Sequence, residues 1–430
     1  MLDTLISLLQ DSNTQWVLLG TMLLGLASGV LGSFALLKKQ SLIGDAMAHA
    51  ALPGICLAFL ITGEKSILAF MIGAVVLGYL ASFLITSITK HSRIKEDTAI
   101  GLVLSVFFGI GIVLLTYIAG LNNGNQTGLD DFIFGQAASL IGTDVTMMMI
   151  ISGVLLVTTF LLFKELKLIT FDAQFAQGIG LPVSLLNGLL MLLIVSAVVI
   201  GLQAVGVVLM SAMLITPAIS ARYWTDRLDF MVIISGSIGA ISGMVGTLLS
   251  TVANGMPTGP LIIVAATFIF LVSLVFSPKR GLVTKAMRYY KLRKITERQQ
   301  VLQEIYQKIE GIDHDSMVQL STIGGKGRAI NALIKQGLLQ NVGDDSIKLT
   351  SKGLHAAYEI VLNNRLMEVY LMNEMRFAHL QIPEDRTLSF LDIPKREQSE
   401  LLNLLYSYGR SPKLVPVQNG YHNGGVTHEL

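Results

Sequence analysis

The sequence predicts an all-α polytopic membrane protein with about eight or nine transmembrane helices, followed by a smaller C-terminal cytoplasmic domain of mixed α/β type. Three observations carry this. Of 430 residues only 14% are charged and 52% are hydrophobic, with a mean hydropathy of +0.63. An average soluble domain is about 25% charged, so much of this surface must face lipid. Apolar stretches of the ~20 residues needed to cross a bilayer recur as far as Phe276 and then stop. Basic residues cluster between them in a pattern that fixes orientation.

Nine stretches qualify: Trp16–Leu37, Leu42–Ile61, Ser66–Thr89, Ala99–Ala119, Val145–Phe163, Val183–Leu202, Val205–Tyr223, Phe230–Val252 and Leu261–Phe276. Charge argues for dividing Val183–Tyr223 into two near Gly201–Gly206. Loops rich in Lys and Arg stay in the cytoplasm. With nine spans, Lys38/Lys39, Lys90/Arg93/Lys95, Lys164/Lys167, Arg222/Arg227 and Lys279/Arg280 all fall on one side. A single span at Val183–Tyr223 would put Arg222 and Arg227 opposite Lys164 and Lys167. The expected N-terminus is therefore outside and the C-terminus cytoplasmic; a re-entrant hairpin would leave fewer crossings. The longest outward loop, Asn122–Asp144, carries Asp130, Asp131 and Asp144.

Met1–Gln10 has Asp3 and no basic residue, so it lacks the n-region of a cleaved signal, and the first span is expected to direct insertion. The single cysteine, Cys56, excludes an intrachain disulfide and a cysteine-rich zinc site, and its apolar surroundings point to packing.

Inside the second stretch, Ser41–Gly54 reads SLIGDAMAHAALPG. Asp45 and His49, four residues apart, share a helix face. The alanines around them permit close approach of another helix. Counting ~1.5 Å per residue from Lys39 places His49 roughly 15 Å deep, near mid-membrane. A charge at that depth costs at least ~2.5 kcal/mol, so such residues are functional by default. Carboxylate oxygen plus imidazole nitrogen suits manganese, iron(II) or zinc. Two copies across a dimer axis would supply two of each. On the residues alone, metal transport, a proton relay and an Asp–His tie between helices all remain open.

Lys164–Pro182 reads KELKLITFDAQFAQGIGLP, a polar connector. Asp172 is a good N-cap, Ala173–Gln177 can form a short helix, and Gly178 and Gly180 can stop it. Phe171, Phe175 and Ala176 give it an apolar side that could enter a partner groove; an ordinary interfacial connector fits as well.

Together with KEDTAIGLVLS (Lys95–Ser105), FDAQFAQGIGLP (Phe171–Pro182), VVLMSAMLITPAISAR (Val207–Arg222) and GPLIIVAATFIF (Gly259–Phe270), the Ser41–Gly54 run resembles the permease subunits of the manganese/zinc/iron ABC importer family over roughly Trp16–Arg280. The resemblance implies a dimer of membrane subunits (two copies of this chain, or this chain with a related permease). It implies two cytoplasmic ABC ATPase subunits acting through a coupling helix at Asp172–Gly178, with Phe171, Phe175, Ala176, Gly178 and Gly180 in or beside it. It also implies an extracytoplasmic metal-binding protein and a metal path lined by Asp45 and His49. No cofactor is expected, only the transported divalent metal. The sequence has no G-x-x-x-x-G-K-[ST]; GGKGR at Gly324–Arg328 lacks that spacing. ATP must then be hydrolysed on another chain.

Composition changes after Phe276. Residues 281–298 form a basic juxtamembrane linker suited to anionic headgroups. Residues 299–408 have soluble-domain composition, and 409–430 are expected to be a flexible tail. Gln299–Leu366 reads as three helices and a short wing (SIKLTSKG), followed by a long helix. It resembles the winged-helix domain of iron- and manganese-dependent repressors, most specifically in LTSKG and NRLMEVYL. Where those repressors carry a ligating His this chain has Asn364, while Glu368 matches a ligand position. The candidate recognition helix offers only Lys326, Arg328 and Lys335, and acids slightly outnumber bases after Arg298. That argues against DNA as a partner and for a regulatory or protein-interaction module. His314, His355, His379, His422 and His428 are dispersed and read as surface or packing residues.

The expected function is an ABC importer permease for Mn²⁺, with Zn²⁺ or Fe²⁺ next, working by alternating access. The rival readings are a proton-coupled secondary metal transporter and a membrane-tethered transcriptional regulator.

Overall fold

A computed structural model describes residues 12–40, 42–63, 66–120, 142–252, 256–311, 316–323, 327–343, 345–377 and 395–416. The chain forms two compact units, Met1–Lys285 and Ala286–Leu430.

The first unit is helical: α1 (Ser12–Leu37), α2 (Ile43–Thr62), α3 (Ile67–His91), α4 (Glu96–Ala119), α5 (Gly142–Leu161), α6 (Phe163–Phe171), α7 (Ala173–Gly178), α8 (Val183–Val205), α9 (Val207–Trp224), α10 (Leu228–Val252) and α11 (Thr258–Phe276). Each of the nine expected stretches matches one of these helices apart from a few end residues, such as Phe163, which opens α6, and Val205, which closes α8. Eight described helices are long and apolar enough to cross a membrane. The expected span Val205–Tyr223 is not among them; it is the 18-residue α9, which contains Pro217. The division from α8 is real, at Gly206 with φ of 91°, a conformation that glycine adopts without a Cβ penalty.

Contacts gather the basic clusters at one end of the bundle. Lys38, after α1, donates to Asn187 in the second turn of α8. Phe34 meets Phe163 edge-on at 6.0 Å. Lys167 on α6 pairs with Asp229 at the start of α10. Asp226 draws in Arg222, Lys279 and Arg280. The start of α8 and the end of α9 therefore share that end, as a hairpin turning at Gly206 requires. The acids Asp130 and Asp131 lie outside the described residues.

Small residues let the helices touch backbone to backbone. A Cβ at Gly25 would strike the carbonyl oxygen of Gly239, and one at Gly54 that of Gly73. The first contact joins α1 to α10, the second α2 to α3. Ser235 Oγ adds a bond to the Gly29 carbonyl at 2.6 Å, and the Thr21 and Thr247 hydroxyls lie 2.9 Å apart. Cys56 is buried, with Sγ 3.9 Å from the Gly111 carbonyl, as a packing residue.

The basic stretch after Phe276 is helical. It forms the first part of a continuous helix, α12 (Leu282–Ile309). In the second unit α12 is followed by β1 (Val318–Gln319), a 3₁₀ turn (Leu320–Thr322), α13 (Gly327–Lys335), β2 (Leu339–Asn341), β3 (Ser346–Leu349), α14 (Ser351–Met372) and α15 (Lys395–Ser407). The three strands make an antiparallel sheet in the order β1-β3-β2. Where a helix was expected at the start of this segment, Val318 instead pairs with Ile347 and buries its side chain. Val301, Ile305, Ile330, Leu333, Ile347 and Val361 share one core. The expected flexible tail is anchored over its first residues. Tyr306 Oη donates to the Leu414 carbonyl at 2.8 Å, and the Lys413 amide donates to Glu310 at 3.0 Å. Residues 417–430 lie outside the described residues, as do His314, Lys326 and His379.

Candidate metal centre

Asp45 is the third residue of α2 and His49 the seventh. Lys38–Gln40 forms a turn, with Lys39 in the left-handed region at φ of 62°. Those residues therefore add no helical rise. His49 stands about 9 Å along α2, short of the midpoint of this 20-residue helix at ~15 Å. This corrects the depth expected from an uninterrupted helix. It also lowers the cost of the charge, because Asp45 sits in the first turn, where the helix N-terminus favours an anion.

The shared face is real. His49 Nε2 lies 3.6 Å from Asp45 Oδ1, with side-chain exposures of 18% and 38%. That is too long for a hydrogen bond. It is close to the ~3.4 Å edge of a tetrahedral site with ligand bonds of ~2.1 Å. The ring of His49 packs edge-on to Phe108 of α4, centroids 4.8 Å apart, which fixes its plane. Its other nitrogen, Nδ1, is buried with no hydrogen-bond partner. Among the described residues no group of three or more His, Cys, Asp or Glu could hold a metal ion. The pair presents two donors.

Two features tie this face to the fold. Pro53 follows His49 by four residues inside α2. Proline has no N–H, so the His49 carbonyl loses its helical donor. Leu52 and Pro53 press on Gly111 of α4, and Leu214 of α9 covers Gly44. Phe108 was not among the residues singled out from the sequence; only its helical position opposite α2 distinguishes it from other aromatic residues in the bundle.

The connector is more ordered than a loop. Lys164–Phe171 lies within α6, which buries Leu166 and Ile169. Asp172 then caps α7, its Oδ1 accepting from the Phe175 amide at 2.8 Å. Ala176 is buried, whereas Phe171 and Phe175 are 60% and 57% exposed. Gly178 ends the helix and Gly180, with φ of 90°, turns the chain into α8. The structure thus offers two exposed aromatic rings, Phe171 at the end of α6 and Phe175 on the short capped helix α7, followed by a glycine turn.

In the second unit Asn364 donates to Gln303 at 3.0 Å, and Glu368 accepts from Arg410 at 2.9 Å. They border a cavity of about 610 Å³ whose floor is the Arg365–Glu310 pair. Burial acts to raise the Glu310 carboxyl, but the Arg365 guanidinium and the Lys413 amide outweigh it and hold the group below its usual range.

The model of the ABC 3 transport family matches residues 10–277. The chain is 50% identical over 441 aligned positions to the manganese transport system membrane protein MntC of Bacillus subtilis, covering the whole of both chains. It is 42% identical to the zinc transport system membrane protein TroC of Treponema pallidum, across 67% of this chain and 96% of that one. Among solved structures it is similar to PsaBC from Streptococcus pneumoniae in complex with Fab. The TM-score is 0.59 and the identity 34%, over 68% of this chain and 100% of the other. TroC matches only the length of the helical bundle; the Bacillus protein also matches the C-terminal unit.

Proposed function

The chain belongs to the ABC 3 transport family, and from that premise we propose that it is the membrane permease of an ATP-driven importer whose cargo is divalent metal, Mn²⁺ first and Zn²⁺ or Fe²⁺ next. The observation that carries the reading is the Asp45–His49 pair, spaced at 3.6 Å for one small cation and left without a hydrogen bond between its members. Two such faces, one from each of two permease subunits, supply two carboxylates and two imidazoles. The carboxylates balance the charge of one divalent ion, which offsets the cost of stripping its water. Manganese is ranked first because the donors mix oxygen with nitrogen, and because relatives with manganese in their names match the chain. Zinc binds such donors at least as tightly, so selectivity depends on release as well as binding.

Movement is supplied from outside the chain. Cytoplasmic ABC ATPase subunits engage Phe171 at the end of α6 and Phe175 on α7, with Asp172, Ala176, Gly178 and Gly180 holding that segment in shape. Their closure swings the bundle between access states, and an extracytoplasmic metal-binding protein delivers the ion. The basic end of the bundle and the C-terminal unit face the cytoplasm. That unit is a winged-helix-like regulatory module rather than a DNA reader. Its helix, β2–β3 hairpin and long α14 support the first part, and its near-neutral charge supports the second.

The test is uptake of ⁵⁴Mn by sealed vesicles holding the permease with its ATPase and loaded binding protein. Uptake that needs ATP and ignores a protonophore is expected. Uptake without ATP that collapses with the proton gradient would establish the secondary-transporter reading instead.

A further inference from the structure

At the basic end of the bundle, a cavity of about 270 Å³ opens between α3, α8 and the turn after α1. Its charged lining is Lys38 and Lys90, with no acid among the lining residues. Ser82, Thr86, Ser184 and Asn187 add polar atoms. Tyr79 and Phe83, 42% and 61% exposed, form an apolar wall on the outer face of α3. Lys38 is half-buried and donates to the side-chain carbonyl of Asn187. Burial pushes its ammonium below the usual lysine range, while attraction from Glu96 pulls it back. Glu96 is itself engaged, accepting from Gln40 Nε2 at 2.6 Å. That bond fixes which way the Gln40 amide points. Its carbonyl oxygen is then buried with no donor.

These features describe one kind of guest. Two ammonium groups in a cavity that no acid lines call for a phosphate. An aromatic wall on a lipid-facing helix calls for an acyl chain. We infer that the cavity between α3 and α8 binds the headgroup of an anionic phospholipid, for which phosphatidylglycerol is the probe. Its phosphate lies between Lys38 and Lys90. Basic pockets between membrane helices on the cytoplasmic side are suited to such lipids. Asn187 and Ser184 lie in the first two turns of α8, directly after the α7 segment, so the lipid braces the helix that receives the ATPase's push. That last consequence rests on the proposed importer function; the binding itself does not.

The experiment is native mass spectrometry of the full-length protein in detergent, with phosphatidylglycerol, phosphatidylcholine or inorganic phosphate added, paired with thermal unfolding. Retention of phosphatidylglycerol and a raised unfolding midpoint are expected, with phosphatidylcholine giving neither. Lys90→Gln, at an exposed position that leaves the core untouched, should weaken retention about fivefold, and Lys38→Gln with Lys90→Gln by the square of that. Equal retention of phosphatidylcholine, unchanged retention in Lys90→Gln, or full protection by inorganic phosphate alone would overturn the inference. These outcomes are independent of metal uptake, so failure here leaves the importer reading standing.

Discussion

Lys167 Nζ donates to both carboxylate oxygens of Asp229, at 2.8 and 3.0 Å. The bond joins α6, which carries the capped helix α7, to the first turn of α10, the helix that meets α1 backbone to backbone. On the proposed coupling through α7, this bond is the contact that would carry a push into the bundle.

Breaking that route should uncouple the machine more than it unfolds it. Both side chains are about 40% exposed, and pairs of that kind contribute up to ~1 kcal/mol. Lys167→Met should lower metal taken up per ATP hydrolysed about 2–5-fold, with assembly unchanged. The check is the ratio of ⁵⁴Mn uptake to phosphate release in reconstituted vesicles.

The Asp172 cap should matter to α7 alone. Asp172→Ala removes the acceptor for the Phe175 amide and costs about 1 kcal/mol locally, whereas Asp172→Asn keeps an acceptor. Amide hydrogen exchange across Ala173–Gly178 should quicken roughly fivefold in the alanine variant and stay near wild type in the asparagine variant. Uptake should follow the same order.

Gly54 and Gly73 touch through their backbones, so neither has room for a methyl group. Gly54→Ala should separate α2 from α3, at a cost of about 1–3 kcal/mol. It should also displace the helix carrying Asp45 and His49. Lower thermal stability in detergent and reduced uptake should appear together. Gly153, where an added Cβ would meet nothing within 4 Å, is the control expected to tolerate alanine.

Most of the helical bundle was legible in the sequence because lipid imposes a simple rule, a long apolar run for each crossing. The break at Gly206 was readable from charge, since a single span would have stranded Arg222 and Arg227. What escaped was local geometry. The left-handed turn at Lys39 removed part of the helical rise assumed for His49, and a lysine in that conformation carries no warning in composition. The strand at Val318 was read as helix because its two residues find their partner, Ile347, nearly thirty residues away. Phe108 escaped for the same reason, since its role depends on which face of α4 meets α2.

The C-terminal unit should be acid-sensitive through Glu310. Its folded carboxyl titrates below the ordinary value of 4.5 because Arg365 and the Lys413 amide favour the charged form against burial. Stabilisation is then fully present above that value and is lost as pH falls through the lower folded one. Hydrogen exchange of peptides from α12 and α14 in the full-length protein, corrected for intrinsic rates, should show opening below about pH 4.5. Glu310→Gln should remove that pH dependence and destabilise the unit at pH 7 by roughly 2–3 kcal/mol, because Arg365 loses its counter-charge.

The most direct test of Asp45 as a metal contact is ATP-driven ⁵⁴Mn uptake by Asp45→Asn, an isosteric change that removes the charge and leaves α2 intact. Loss of uptake to background is expected, with normal membrane insertion and normal association with the ATPase. Uptake at the wild-type rate would contradict the metal-path assignment and remove Asp45 from it.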